Sequence, residues 1–282
     1  MTGIRTVKEV RLIEEFVNGN ESGRCIIGDK NVTYLDPFLL FEDSKMSPPA
    51  GYPDHPHRGF EVLFYIIGGK VRHENFSGCD SILEQGDMLF ISAGKGVMHS
   101  ELPVGESHEV QLWVNMKNND KMCDMAYHEV LKSDIPTKTK EGITAKVLLG
   151  EALGTKSEVK TRTPVSFVDF FLEPNTAYNQ TVPENWTCLV YVLEGCIDVS
   201  DTKVLQYHCA FLSEGSSVTF RNDSGCNSRF IFVSGQPVNE PVHRNEQFVM
   251  NTKEQLDQAM MEFKEFKNGF EKGKTWKGSS KR

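Results

Sequence analysis

Two histidines separated by one residue, in the segment PDHPHRGFE, have a spacing that suits metal binding. In a β-strand, residues i and i+2 point to the same face, so a strand here would direct both imidazoles of His55 and His57 towards one point. A second pair with the same spacing, His99 and Glu101, occurs in MHSELP after the glycine-rich segment SAGKG. Two such pairs on neighbouring strands would offer three imidazoles and one carboxylate to a single metal ion.

The spacing alone leaves a second explanation open. A chain of 282 residues with eight histidines can contain one such pair by chance. The other five histidines have no partner at this spacing, which is typical of ordinary surface or core positions: His73, His108, His128, His208 and His243. On spacing alone, a four-ligand site and a chance pairing remain alternatives.

Strand patterns dominate the rest of the chain and would position these pairs. Short runs rich in β-branched and aromatic residues are each followed by glycine, asparagine or proline, as in VLFYIIGG, DMLFISAG, EVQLWVNM, CLVYVLEG and RFIFVSG. Many short strands separated by turn residues are typical of β-sandwiches and β-barrels. The sequence therefore predicts an all-β fold.

A helix is predicted near the C-terminal end. Thr252 and Gln255 have the spacing of a capping box, in which each side chain binds the backbone of the other. The apolar residues that follow recur every three or four positions: Leu256, Met260, Phe263, Phe266 and Phe270. This stripe predicts a helix with one buried face that packs on a sheet.

A weak internal repeat indicates two domains. LFYIIGGKV at 63–71 resembles LVYVLEGCI at 189–197, and about twenty residues later in each copy LEQGDMLFI resembles LSEGSSVTF. A duplicated β unit predicts a boundary in the charged stretch between the copies. We therefore expect domains at residues 1–134 and 135–282.

The composition excludes several classes of protein. No stretch approaches the about 20 apolar residues that a membrane-spanning helix needs. The seven cysteines form no CxxC, and the N-terminal residues lack the apolar core of a secretory signal, so we expect reduced thiols inside the cell. A net charge of −8 argues against a broad phosphate-binding face. We expect neither membrane association nor direct binding to nucleic acid.

The same motifs resemble a known family. HPHRGFE, followed after six residues by Gly68, resembles the first cupin motif, and GDMLFISAGKGVMHSE resembles the second. The sequence of these motifs is similar to the pirin family of two-cupin proteins in its eukaryotic form. The similarity extends over nearly the whole chain and includes WTCLVYVLEG and the C-terminal FVMNTKEQLDQAMMEFKEFKNGFEKGKTW. The resemblance implies a bicupin: two jelly-roll-like β-barrels facing each other, with a C-terminal α-helix outside. The second barrel, which lacks an HxH, is expected to hold no metal.

The resemblance also implies a ligand set. A generic cupin would use Glu61, whereas the pirin pattern takes its carboxylate from the second motif, so the expected ligands are His55, His57, His99 and Glu101. Glu61 would then bind a group next to the site or form a surface salt bridge. We expect one Fe(2+) per chain, although three imidazoles and a carboxylate also suit other divalent transition metals.

The first function that the family implies is oxygenation of a flavonol-like small molecule by O2, as in quercetin 2,3-dioxygenase. That reaction opens the flavonol with loss of carbon monoxide, and Glu101 would be the catalytic residue that accepts the proton of the 3-hydroxyl. Apolar strand residues would either line an aromatic pocket or form the barrel core: Phe60, Val62, Phe64, Met88, Phe90 and Met98.

The alternative function is that of a nuclear redox sensor. In this interpretation the oxidation state of iron modulates the binding of a Rel-type (NF-kappa-B) transcription factor to DNA. The segment DKNVTYLDPFLLFED and the basic residues Arg5, Arg11 and Arg24 are candidates for the docking surface. We expect the protein in nucleus and cytoplasm, and as a monomer, because a second cupin in the chain would cover a surface that single cupins bury by dimerising.

Overall fold

The computed structural model describes residues 3–245 and 247–278. The chain divides into two compact units. The N-unit consists of residues 15–133 with 238–278, and the C-unit consists of residues 3–14 with 134–237. Each unit therefore contains one long segment and one short segment from the opposite end of the chain.

This division differs from the expected domains 1–134 and 135–282 at both ends. The internal boundary falls between Ser133 and Asp134, one residue from the expected position. The terminal segments are exchanged, because the first strand pairs within the C-unit and the C-terminal helix packs on the N-unit. The helix thus belongs with the first cupin rather than the second.

The described residues form mostly β-strands, which confirms the predicted all-β bicupin class. In chain order, the first strands are β1 (Val7–Leu12), β2 (Glu15–Asn18), β3 (Glu21–Ile27), β4 (Phe38–Met46), β5 (Tyr52–His57), β6 (Phe60–Asn75), β7 (Asp80–Glu84), β8 (Met88–Ser92), β9 (Val97–Asn115) and β10 (Ala126–Val130). They are followed by β11 (Thr137–Lys140), β12 (Ile143–Leu149), β13 (Glu151–Ala152), β14 (Thr155–Lys156), β15 (Val165–Leu172), β16 (Thr176–Thr181), β17 (Thr187–Glu194) and β18 (Cys196–Val199). The last strands are β19 (Thr202–Leu205), β20 (His208–Leu212), β21 (Ser217–Asn222), β22 (Ser228–Gly235), β23 (His243–Arg244) and β24 (Val249–Met250). The α-helix is α1 (Lys253–Lys264), and short 3-10 turns lie at Asn118–Asp120 and Glu271–Lys274.

The N-unit is built on one antiparallel sheet. Its strand order is β10-β8-β6-β9-β4-β3-β2, with β5 paired to β9 and β7 paired to β6. The long strands β6 and β9 are paired over most of their length, and on its other edge each strand has a different partner for each half. Inward-facing residues of β6 and β8, such as Phe60, Val62, Phe64 and Ile91, form the core.

The described part of the C-unit contains two larger sheets, ordered β1-β20-β17-β22-β15-β12-β11 and β16-β21-β18-β19, and the two-stranded sheet β13-β14. Its interior is filled mostly by aliphatic side chains, with a group of phenylalanine rings among them. The rings of Phe170 and Phe230 stack with centroids 5.2 Å apart, and Phe220 lies 4.8 Å from Phe230. Aromatic packing of this kind stabilises a barrel through burial and ring–ring contacts.

Arg5 has a structural role in the C-unit. Its guanidinium is buried and donates hydrogen bonds to the carbonyl oxygens of Trp186, Ser213, Pro183 and Glu184 at 2.8 to 3.0 Å. A buried guanidinium can satisfy several carbonyls at once because its N–H groups form a rigid fork. The prediction that Arg5 belongs to a docking surface is therefore wrong.

The helix α1 begins with the predicted capping box but ends earlier than the apolar stripe suggested. The Thr252 hydroxyl accepts from the Gln255 backbone N–H at 3.2 Å, and the Gln255 side chain accepts from the Thr252 backbone N–H. The helix ends at Lys264, because Phe266 and Asn268 have φ of 52° and 55°, a conformation that terminates helices. In the part of the chain that the structure describes, no helix is long and apolar enough to cross a membrane.

The C-terminal segment is held on the N-unit by Arg58, the residue after His57. The Arg58 guanidinium is buried, forms an ion pair with Glu262 of α1, and donates to the carbonyls of Lys95 and Asn268 at 2.7 and 2.8 Å. It also lies over the ring of Phe270. The helix is therefore anchored directly beside the strand that contains the histidine pair.

Candidate metal centre and its cavity

The histidine pair lies on β5, which is paired with the start of β9. In this register His55 is opposite His99, and Tyr52 is opposite Glu101. Among the described strands, β5 pairs only with β9, and an edge strand tolerates the prolines at 53 and 56 because their missing N–H groups need no partner. The pairing explains why two HxH-type spacings, far apart in sequence, converge.

The three imidazoles meet at one point. His55 Nε2 lies 3.1 Å from His57 Nε2, and the ring of His99 lies 4.3 Å from that of His55 and 4.8 Å from that of His57. Two nitrogens bound to one metal at about 2.1 Å and at a right angle are about 3.0 Å apart. The separation of the two Nε2 atoms is therefore that of neighbouring ligands in an octahedral site.

Glu101 is joined to this cluster through His99. Its Oε1 lies 3.2 Å from His99 Nδ1, and both side chains are buried. His99 thus belongs to two overlapping groups with metal-binding geometry, one with His55 and His57 and one with His73 and Glu101. Among the described residues, His55, His57 and His99 thus form one candidate group, and Glu101 joins His99 and His73 in the other. The combined set of four ligands stays a prediction.

Unsatisfied buried atoms indicate that the cluster fits a metal ion. Among the described residues, neither His99 Nε2 nor Glu101 Oε1 makes a hydrogen bond, although both atoms are inaccessible to solvent. A buried polar atom without a partner costs free energy, so native proteins rarely keep one without a reason. A set of imidazoles and one carboxylate suits a divalent transition metal, and the cluster is able to bind one.

Burial sets the protonation of these groups. It lowers the pKa of His55, and it lowers the pKa of His57 and His99 well below the usual histidine range. A neutral imidazole keeps the lone pair that a metal needs. Burial, assisted by the nearby Glu109, raises the pKa of Glu101 well above the usual carboxyl range.

Gln111 and Trp113 orient the carboxylate and were missed by the sequence analysis. Trp113 Nε1 donates to Gln111 Oε1 at 3.3 Å, which turns the Gln111 amide nitrogen towards Glu101 Oε2 at 3.4 Å and Glu109 Oε1 at 3.0 Å. The signal was present in EVQLWVNM, where residues 109, 111 and 113 alternate and therefore share one face of β9. The sequence did not show that this face of β9 lies next to Glu101.

His73 is not an ordinary histidine, so that prediction was wrong. It is buried on β6 opposite Glu101, and its Nε2 lies 3.0 Å from His99 Nδ1. Burial lowers its pKa to about 3. The second half of β6 pairs with the first half of β9, and this long-range register places His73 behind His99.

Glu61 and the remaining histidines lie elsewhere. Glu61 is fully buried and belongs to neither metal-binding group in the described residues, so a surface salt bridge is excluded. His108 is paired with Asp43, His208 is partly exposed, and His128 and His243 are exposed.

A cavity of about 500 Å³ opens onto the cluster. His55, His57 and Glu101 form part of its wall. The other lining residues are Leu40, Glu42, Tyr52, Pro53, Asp54, Gln111, Trp113 and Gln247. The six apolar strand residues considered for the pocket are buried in the cores instead: Phe60, Val62, Phe64, Met88, Phe90 and Met98.

Comparison with protein families gives two matches. The family described as Pirin matches residues 19–114, and the Pirin C-terminal cupin domain matches residues 167–269. Human pirin is 43% identical over 261 residues, which cover 90% of each chain.

Solved structures share this fold. The crystal structure of a quercetin 2,3-dioxygenase from Acinetobacter baumannii superposes with a TM-score of 0.85 and 29% identity, covering 95% of this chain and 99% of that one. A bacterial pirin from Escherichia coli, in complex with nickel(II), superposes with a TM-score of 0.68 and 18% identity, covering 81% and 98%. At that identity the second likeness concerns the fold alone.

Proposed function

This chain belongs to the pirin family, and we propose that it is an iron-dependent dioxygenase that opens flavonols such as quercetin. The observation that carries the proposal is the cavity of about 500 Å³ with His55, His57 and Glu101 in its wall. Cavities of this size suit small aromatic ligands, which are recognised by apolar walls and a few polar groups. The similarity to a quercetin 2,3-dioxygenase at 29% identity supports this substrate class.

Four side chains would hold the metal: His55, His57, His99 and Glu101. Three imidazoles and one carboxylate suit Fe(II), although manganese, cobalt, nickel, copper and zinc accept similar ligands. When bound, the iron would supply a Lewis-acidic centre for an ionised hydroxyl group and open positions for O2.

The protein's own groups would perform the remaining tasks. Glu101 would take the proton of the flavonol 3-hydroxyl, because burial makes its carboxylate a stronger base than an exposed one. Gln111 would keep that carboxylate in place through its bond to Oε2. Leu40 and Trp113, opposite each other on β4 and β9, would offer an apolar wall to the flavonol rings.

The test is turnover of quercetin by iron-loaded protein in the presence of O2. We expect loss of the flavonol absorbance together with carbon monoxide release, at a rate well above that of free iron. His57→Ala should reduce the rate to the free-iron level and lower the iron content, whereas His128→Ala at an exposed position should change neither. Turnover that persists in His57→Ala, or that never exceeds free iron, would contradict the proposal.

The regulatory alternative stays a prediction. No observation on the described residues favours a transcription-factor partner, and Arg5, one of its candidate docking residues, is buried. The expected monomer and the expected location in nucleus and cytoplasm likewise stay predictions.

A further inference from the structure

We propose that Glu42 is a substrate-binding residue, and that the cavity selects a neutral, hydroxylated aromatic molecule whose hydroxyl group donates to the Glu42 carboxylate. This inference rests on the proposed function of the same cavity and specifies what the cavity recognises. Its evidence comes from the strand register, from the hydrogen bonds of the neighbouring carboxylates and from the charges of the cavity wall.

The strand register places Glu42 beside the metal centre. On β4, Leu40 is opposite Trp113 of β9, and Glu42 is opposite Gln111. Directly opposite side chains on paired strands are neighbours, and residues two apart share a face, so Leu40 and Glu42 point together into the cavity that they line. Because Gln111 reaches Glu101 Oε2, Glu42 is separated from Glu101 by a single side chain.

Among the described residues, the neighbouring acids have hydrogen-bond or ion-pair partners, whereas the Glu42 side chain has none. Tyr52 donates to Glu21 at 2.7 Å, Gln111 donates to Glu109 at 3.0 Å, and Asp43 is paired with His108. Within the residues that the structure describes, no hydrogen bond or ion pair is made by the Glu42 side chain, and the charges that act on it are those of Glu21, Glu109 and Asp43. A mostly buried carboxylate with no donor is costly unless a ligand supplies one.

Apart from the metal that the cluster would hold, the described wall of the cavity carries no positive charge. Its described lining residues include the acids Glu42, Asp54 and Glu101 but neither lysine nor arginine. Recognition of a carboxylate or phosphate group requires donors of positive charge, whereas a hydroxyl group finds acceptors here. The wall therefore favours neutral donors over small dianions.

The apolar part of the wall explains why the ligand is aromatic. Leu40 and Trp113 form a cross-strand pair one step along the strands from the pair of Glu42 and Gln111. A ring packed on the first pair would place a hydroxyl substituent within reach of the second. Burial and the nearby carboxylates raise the pKa of Glu42 to about 7, so near neutral pH this acceptor is available without a fixed full charge.

The test measures how much each ligand hydroxyl contributes to binding in the presence and absence of the Glu42 carboxylate. Iron-loaded full-length protein is titrated anaerobically by calorimetry with kaempferol, galangin and 3-hydroxyflavone, which differ stepwise in hydroxyl groups. The first step of the series removes the 4′-hydroxyl, and the second removes the 5- and 7-hydroxyls together. In the wild type, we expect one of these two steps to weaken binding about tenfold, as for a hydrogen bond to a charged group. In Glu42→Gln the same change of ligand should weaken binding only about threefold or less. The difference between the two variants measures the coupling between the hydroxyl group and the Glu42 carboxylate.

Three controls accompany this measurement. Glu106→Gln changes an exposed glutamate and should leave every affinity unchanged. Glu42→Asp keeps a carboxylate and should retain most of the hydroxyl dependence, which separates the proposal from a general loss of structure. Iron content, measured for each variant, should equal that of the wild type because Glu42 is not one of the expected ligands.

Two results would overturn the inference about Glu42. One is a hydroxyl dependence that is the same in the wild type and Glu42→Gln for all three flavonols. The other is oxalate, a small dianion, binding more tightly to the wild type than to Glu42→Gln. A wild type that holds iron but binds no flavonol would instead contradict the proposed function itself.

Discussion

Protonation of single buried residues shapes this site. The histidines of the cluster are kept neutral by burial, so they can accept a cation without first releasing protons near neutral pH. The carboxyl groups behave in the opposite way, because burial makes them hold their protons to higher pH. The cluster is therefore poor in charge until a metal binds.

A stability prediction follows for Glu109. Burial raises its pKa to about 7, whereas the unfolded chain would release this proton near the model-compound value of 4.5. Between these values the folded state binds more protons, so the stabilisation present below pH 4.5 is lost as the pH rises through 7. In metal-free wild-type protein, Glu109 should therefore lower the unfolding free energy by up to about 1.4 kcal/mol per pH unit between pH 5 and 7. In Glu109→Gln this part of the decline should be absent.

Urea unfolding at pH 5, 6, 7 and 8 measures this slope. Exposed Glu106→Gln serves as the control and should follow the wild type. Parallel pH curves for wild type and Glu109→Gln would show that the folded protein does not retain this proton.

At the residue scale, the sequence indicated the candidate ligands but not their surroundings. The i, i+2 spacing of His55 with His57 and of His99 with Glu101 is local, so it could be read directly. His73, Gln111 and Glu42 reach the same place through the register of β6, β9 and β4, which depends on pairings between residues up to about 70 positions apart. The spacing of neighbouring residues in the sequence does not show which residues of distant strands will be paired.

Among the elements, α1 shows where local signals suffice and where they fail. The capping box and the apolar stripe predicted its start and its buried face. Its end at Lys264 depends on the left-handed residues Phe266 and Asn268, of which only Asn268, before Gly269, carries a turn signal. Its partner, Arg58, could not be recognised because the ion pair with Glu262 spans 204 positions.

We predict that Glu262→Ala releases this helix from the N-unit. The substitution leaves the buried Arg58 guanidinium without its charge partner, which typically costs about 3 kcal/mol. The unfolding free energy should fall by about that amount, and amide hydrogen exchange in Lys253–Lys264 should accelerate.

A matched substitution on the same helix is Asp257→Ala. Its ion pair with Lys253 is exposed, so the expected cost is below about 1 kcal/mol. Equal destabilisation by Asp257→Ala and Glu262→Ala would contradict the anchoring role of Arg58.

For the molecule as a whole, the internal repeat correctly indicated two cupin units, but it could not show that their terminal segments are exchanged. Residues 63–71 and 189–197 resemble each other because both are central strands with similar burial. The short segments at either end have no counterpart in the repeat. Their assignment depends on β1 pairing with β20 and on α1 packing against Phe248 and Met250.

Arg5 tests the first of these assignments. Arg5→Ala removes four hydrogen bonds to buried or partly buried carbonyls, and we expect it to lower the free energy of unfolding by about 3 kcal/mol. Iron content should be unchanged, because the expected ligands belong to the N-unit. Arg11→Ala, whose partner is the exposed Glu9, should have little effect on stability. A loss of iron without a loss of stability in Arg5→Ala would contradict this division.

The exchange of terminal segments also affects the order in which the units can fold on the ribosome. Residues 238–278 complete the N-unit, yet they emerge only after the entire long segment of the C-unit has been translated. Gln247, which lines the cavity, and Glu262, which anchors Arg58 beside His57, are both in this late segment. A nascent chain therefore carries an unfinished cavity and an unpaired Arg58 until this segment has been translated, and we expect stable iron binding only after that point.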